Sequence, residues 1–154
     1  MTKVKAVILA AGKGTRMKSE LPKVIHTALG KPMVDYVIEA ARDAGAEKED
    51  ICLVVGHKAD LVKKTVGDGV NYVLQEEQLG TGHAVRCASD FIGEEGLTMV
   101  LCGDTPLITG STLKKLVETH IAEGNAITVL TAVVDDPTAV SYTHLRAHET
   151  DSYL

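Results

Sequence analysis

Two loops of this sequence combine glycine, cations and a carboxylate as phosphate chemistry requires. The run Leu9-Ala10-Ala11-Gly12-Lys13-Gly14-Thr15-Arg16-Met17 follows an apolar, β-branched stretch and leads to Leu21-Pro22-Lys23. Glycines directly after a strand leave backbone N–H groups bare enough to approach phosphate oxygens. Lys13, Arg16, Lys18 and Lys23 gather positive charge on the same loop. The second run, Gly103-Asp104-Thr105-Pro106, sets a carboxylate just after another β-branched stretch, so Asp104 is expected to project at that strand's carboxyl end. The first loop is no dinucleotide fingerprint: Met17 replaces the third glycine of G-x-G-x-x-G, and no acidic residue closes Ile51 to Gly56. This argues against an NAD-dependent oxidoreductase. The Gly-Lys-Ser/Thr of a Walker A loop is also absent. By residue type alone, the loop reads either as a phosphate cradle or as a glycine turn carrying solvated lysines.

The elements that would position these loops follow from periodicity. Val4 to Ala10, Ile51 to Val55, Asn71 to Leu74, Leu97 to Cys102 and Ala126 to Val134 read as strands. Between them, Met33, Val34, Val37, Ile38, Ala41 and Ala44 form a helical stripe that starts after Pro32 and stops at Gly45. Lys58 to Val66 is a shorter helix. Thr81 is expected to cap a helix with Ala84, Val85, Ala88 and Phe91 inward, and Ser111 to cap one carrying Leu113, Leu116, Val117, His120 and Ile121 as far as Gly124. Strands alternating with helices predict an α/β fold, a doubly wound, mostly parallel, Rossmann-like sheet. Ligands of such sheets lie beyond the carboxyl ends of the strands, here Ala11 to Pro22, Gly56-His57, Gln75 to Thr81 and Gly103 to Pro106.

Composition narrows the partners. The chain has 154 residues, the size of one domain, and carries 16 Lys and Arg against 21 Asp and Glu, a net charge of −5. An acidic balance is wrong for a general nucleic-acid binder, and four Tyr, one Phe and no Trp supply no stacking platform. Ala6 to Ala11 is far short of a membrane span, and Gly12 to Arg16 interrupts what would otherwise imitate a signal peptide. A cytoplasmic protein with no membrane partner is expected. Cys52, Cys87 and Cys102 lack metal-ligand spacing and are predicted to be buried, reduced thiols.

The loop Leu9 to Met17 with Leu21-Pro22-Lys23 resembles the signature of sugar-1-phosphate nucleotidylyltransferases. Two further runs, Leu74-Gln75-Glu76-Glu77-Gln78-Leu79-Gly80-Thr81-Gly82-His83-Ala84 and Gly103-Asp104-Thr105-Pro106-Leu107-Ile108, narrow the resemblance. Together they are similar to the uridylyltransferase domain of the bacterial bifunctional N-acetylglucosamine-1-phosphate uridylyltransferase/glucosamine-1-phosphate acetyltransferase family, from about Val4 to Thr138. The resemblance implies transfer of UMP from UTP to N-acetylglucosamine 1-phosphate, a cell-wall precursor reaction, with Mg²⁺ as cofactor. It assigns Arg16 and Lys23 as the catalytic cations and Asp104 as the metal ligand. Leu9, Ala10, Ala11, Gly12, Lys23, Gln75, Gly80, Thr81, Cys102, Gly103 and Asp104 are implied in nucleotide or substrate binding. The chemistry is consistent with such a set. A sugar phosphate is already anionic, so the demand is for charge neutralisation rather than a general base, and His57 and His83 stay outside the catalytic set. Mg²⁺ keeps several waters and needs only one or two carboxylates plus phosphate oxygens. Another sugar-1-phosphate nucleotidylyltransferase, or a non-catalytic nucleotide-binding fragment, are the alternative readings.

The resemblance stops near Thr138. Residues 1–138 are read as a partial nucleotidylyltransferase domain and 139–154 as an unmatched, non-native tail whose shift to His and Tyr is typical of a frameshift or read-through segment. Asp135-Asp136 before Pro137 reads as a turn, and His144 with His148 lacks a third metal ligand. The resemblance further implies sugar-binding residues, later strands and a trimerising β-helix domain that these 154 residues do not contain, so the chain by itself is expected to be inactive.

Overall fold

The computed structural model describes residues 3–14 and 17–132. Its centre is a four-stranded parallel sheet. β1 (Val4–Ala10) pairs on one side with β4 (Ile51–Val55), which pairs in turn with β5 (Asn71–Leu74). On its other side β1 pairs with β6 (Leu97–Cys102), from Val4 opposite Leu97 to Leu9 opposite Cys102. These four strands have the bounds expected from their apolar runs. A small antiparallel hairpin, β2 (Thr27–Ala28) with β3 (Lys31–Pro32), was not foreseen, because two-residue strands leave no periodicity to read.

Parallel strands require crossovers, and helices supply them on both faces. Alternate residues of β1 divide the core. Ala6, Ile8 and Ala10 join the buried cluster under α1 (Met33–Asp43), α2 (Ala59–Val66) and α5 (Gly110–Glu123). Val7 and Ala11 face the opposite cluster under α3 (Thr81–Cys87) and α4 (Ser89–Ile92). β4, flanked by strands and covered on both faces, is fully buried from Ile51 to Val55. The edge strands β5 and β6 are only partly covered. The expected doubly wound α/β sheet is therefore present.

Four local expectations need correction. Ala126 to Val134 was read as a fifth strand of the alternation, yet residues 126–132 form none, and 133–134 lie outside the described residues. A strand is held by its ladder, and a groove of about 1290 Å³ separates the outer face of β6 and α5 from residues 126–130. Ile127, Val129 and Leu130 are left exposed. The cap of α3 is Gly80 rather than Thr81, since the entry requires φ of 102°, which threonine does not readily adopt. The expected continuous helix there also breaks at Ala88 into α3 and α4. The cap of α5 is Thr109 rather than Ser111, with the Thr112 N–H donating to Thr109 Oγ1 at 3.2 Å.

α1 and α5 meet through Gly110. A Cβ at that position would stand 2.3 Å from Asp43 Cβ and 3.2 Å from Ala40 O. Neither contact is the free end of a flexible chain, so Gly110→Ala is expected to push the helices apart and destabilise the domain by roughly 1–3 kcal/mol. A urea-denaturation midpoint for Gly110→Ala within error of the parent would show that the helix pair yields without cost.

Candidate active site

The strand order places the site. The chain proceeds from β1 outward through β4 and β5, then crosses to the other side of β1 as β6. The crevice between the carboxyl ends of β1 and β6 is thus the point where the winding reverses, where open α/β sheets bind ligands. Gly103 closes this end of the ladder: its N–H donates to Leu9 O at 2.9 Å. A side chain on Gly103 would meet Leu9 O at 2.9 Å and Val24 Cγ1 at 3.2 Å. The absent Cβ lets the 3₁₀ turn Lys23–Ile25 pack directly against the strand end, anchored by buried Val24 and Ile25.

That packing brings Lys23 to Asp104. The Lys23 ammonium donates to Asp104 Oδ2 at 2.6 Å across 81 residues of sequence. Gly14 packs against Lys23, since a Cβ there would stand 2.9 Å from Lys23 Cβ. The glycine loop, the cation and the carboxylate therefore form one cluster. Beside Asp104, Thr105 Oγ1 donates to Cys102 O at 2.7 Å across the same turn. Both Lys23 and Asp104 side chains remain about a third exposed, 38% and 34%. A pair that open to water contributes about 1 kcal/mol or less, so its partners are easily exchanged for a phosphate oxygen or a cation.

Leu9, Ala10 and Ala11 have their side chains directed into the two cores, with Ala10 and Ala11 only 2% and 5% exposed. Any contact they make with a ligand is through backbone. Gly12 differs, because nothing lies within 4 Å of where its Cβ would be. Arg16 lies outside the described residues. The expectation of three buried thiols holds for Cys52 alone: Cys87 is half-buried and Cys102 exposed. Cys102 ends an edge strand and opens onto the crevice, so it lacks the covering layer that buries Cys52.

Gln75, Gly80 and Thr81 gather at the end of β5. Gln75 N–H continues the ladder to Val55 O at 2.7 Å, and the backbone ends of β1, β4 and β5 close on one another at Gly56, whose Cβ would meet both Ala11 O and Gln75 O at 3.1 Å. The Gln75 side chain is 3% exposed, more buried than its polar character forecasts. Its Nε2 donates to Gly80 O at 3.1 Å and lies 3.1 Å from His83 Nδ1. Sequence reading left His83 outside the catalytic set and missed this partner, since no periodicity couples residues eight apart across a loop. Thr81 is exposed at the first turn of α3.

Among the described residues no three His, Cys, Asp or Glu side chains cluster as a metal cage. Asp104 offers a single hard oxygen donor at the crevice, which fits a cation that takes its remaining ligands from phosphate and water. Among the described residues no helix is long and apolar enough to cross a membrane.

This fold and site define a nucleotidyltransferase domain. The chain matches the MobA-like NTP transferase domain over residues 6–150 and belongs to that family. It is 54% identical over 138 residues to the bifunctional protein GlmU of Caldanaerobacter subterraneus subsp. tengcongensis, covering 90% of this chain and 30% of that protein. It is also 54% identical over 135 residues to the bifunctional protein GlmU of Clostridium perfringens, covering 86% of this chain and 29% of that one. The chain thus spans about 30% of the length of these curated relatives. Among solved structures, Rv0371c of Mycobacterium tuberculosis shares the fold with a TM-score of 0.67 at 23% identity, over 79% of this chain and 62% of its own. The UTP-bound UGPase of Acinetobacter baumannii is similar with a TM-score of 0.66 at 28% identity, over 80% of this chain and 54% of its own.

The Cys102 thiol reports on the cluster. Partial burial foremost, and then the charge of Asp104, push its ionisation above the ordinary thiol range, while Lys23 opposes them. Asp104→Asn is therefore expected to shift the pH midpoint of Cys102 alkylation downward, and Lys23→Met to shift it upward, as followed by peptide mass spectrometry. Coincident profiles for parent and both variants would separate Cys102 from the pair.

Proposed function

We propose that this domain transfers UMP from UTP to N-acetylglucosamine 1-phosphate, giving UDP-N-acetylglucosamine and pyrophosphate. The observation that carries the reading is the Lys23–Asp104 pair at the β1/β6 crevice, beside a glycine loop. One oxygen of the sugar phosphate attacks the α-phosphorus of UTP and the bond to the β-phosphate oxygen breaks. The attacking oxygen is anionic at neutral pH and needs no base. The task left to the protein is to hold two polyanions in line and to offset charge on the α-phosphate and the departing pyrophosphate. Lys23 supplies a cation at that point, and Arg16 is proposed to supply a second. Gly12, with open space where a side chain would be, leaves backbone free to face phosphate. Asp104 would hold Mg²⁺, which when bound screens the phosphate charges and orients the triphosphate. Lys23, paired only weakly with Asp104, would be free to face the phosphates once that carboxylate held a cation. Leu9, Ala10, Ala11, Cys102 and Gly103 line the crevice through backbone, and Gln75, Gly80 and Thr81 receive the uracil.

The similarity to GlmU supports the choice of uridine and of an amino-sugar phosphate. Supporting the nucleotide as well, a structurally similar UGPase is UTP-bound.

Calorimetry on this chain with UTP, ATP and NAD in the presence of Mg²⁺ is expected to rank UTP first. Equal or tighter binding of NAD would overturn the reading in favour of an oxidoreductase. In a protein of the relatives' full length, Asp104→Asn keeps the side-chain shape but removes the charge, and is expected to lower turnover by about 10²- to 10³-fold. Turnover within a few-fold of the parent at matched Mg²⁺ would leave Asp104 no part in the chemistry.

A further inference from the structure

Gln75 is a buried amide whose orientation decides what it offers a ligand. Its Nε2 faces two groups, the Gly80 carbonyl at 3.1 Å and His83 Nδ1 at 3.1 Å. A carbonyl can only accept, so the group turned toward Gly80 must be the NH₂. The second amide proton then points at His83 Nδ1, which must present a lone pair. That assigns the neutral imidazole with its proton on Nε2, directed at Cys87 Sγ 3.9 Å away, one turn along α3. Both amide protons are thereby consumed. The atom of Gln75 left to a ligand is Oε1, which among the described residues receives no hydrogen bond.

We infer that His83 is a positioning residue that sets nucleobase specificity, by locking the Gln75 amide so that an acceptor faces the base. The inference rests on the proposed role of Gln75 against uracil and adds what fixes its polarity. An acceptor in a nearly buried position suits a ring carrying N–H at the recognised edge, as uracil does at N3. Cytosine presents a bare nitrogen lone pair there. Two acceptors facing each other out of water leave both unpaired, which is how a polar site rejects a near-isostere. To accept cytosine the amide would have to rotate by 180°, turning Oε1 onto the Gly80 carbonyl and surrendering the bond to His83. Gly80 alone supplies one such restraint. His83 doubles it and sits on the first turn of α3, where the backbone is set by the Ala84 N–H donating to the same Gly80 oxygen at 3.1 Å.

The test compares UTP and CTP affinities by calorimetry, with Mg²⁺, for the parent chain, His83→Leu and His83→Asn. The parent is expected to favour UTP. His83→Leu removes the acceptor at similar bulk and should reduce the UTP-to-CTP ratio by about tenfold, the worth of one hydrogen bond. His83→Asn, whose Oδ1 can take the place of Nδ1, should restore most of the ratio. A parent without preference for UTP would overturn the uracil reading of Gln75. A parent that prefers UTP, with His83→Leu retaining the full ratio, would overturn only the role of His83. Nitrogen NMR of the ¹⁵N-histidine-labelled parent stands apart from whether the variants fold. It should find Nδ1 of His83 bare and Nε2 protonated, and the opposite tautomer would overturn the inference.

Discussion

Strand β1 is hydrogen-bonded along both edges, to β4 on one side and β6 on the other, and every part of the site depends on that double pairing. Because all four strands run parallel, their carboxyl ends collect at one rim of the sheet. Because the chain winds outward through β4 and β5 before returning to β6, the loop after β1 and the loop after β6 become neighbours. Register completes the arrangement. With Leu9 opposite Cys102, Gly103 lands on the Leu9 carbonyl and Asp104 on the crevice side. A slip of one residue would reverse the facing of β6 and carry Asp104 away from Lys23.

The Lys23–Asp104 pair is a consequence of packing more than a source of stability. Its ends are about a third exposed, where an ion pair is worth little against water. What holds the two loops is apolar: Val24 and Ile25 are buried, and Val24 stands against the bare Cα of Gly103. The energy of positioning is thus separated from the groups positioned. A cation and a carboxylate whose own attraction is weak can be redirected toward phosphate and metal without loosening the loops that carry them. Preorganised charge of this kind is what in-line transfer between two polyanions requires.

Much of this was legible from periodicity. The four strands of the sheet coincide with apolar β-branched runs, and β4, buried on both faces, reads as an unbroken one, Ile51-Cys52-Leu53-Val54-Val55. The closeness of Lys23 and Asp104 was foreseeable, because both lie on loops expected at the carboxyl rim of the sheet. Where reading failed, the deciding partner was distant or missing. Ala126 to Val134 has strand composition, but composition cannot supply a neighbour, and residues 126–132 have no ladder. Thr81 and Ser111 are good cap types displaced by Gly80 and Thr109, because backbone angle and the helix start outrank side-chain preference. Cys102 has the composition of a core residue and the address of an edge strand. The burial of Gln75 was invisible, since an amide at a strand end is ordinarily solvated.

The proposed phosphate side and base side of the crevice are built on opposite principles, and that contrast follows from their polar content. Around Lys23 and Asp104 the fixed groups are charged and part-exposed, so water can mediate exchange of partners and the geometry tolerates a change of occupant. Around Gln75 the hydrogen-bonding groups are neutral and the amide itself is buried, so a mismatched donor or acceptor facing it finds little water to repair it. Charge that water partly screens attracts any triphosphate and discriminates little among bases. Enclosed neutral hydrogen bonds contribute little attraction but are intolerant of the wrong partner. The ladder from Val55 to Gln75 and the shared contacts of Gly56 with Ala11 and Gln75 tie the selective end to the glycine loop. Under the proposed assignment, a base seated at β5 would have its phosphates directed to the β1/β6 crevice along backbone that the core already holds in place.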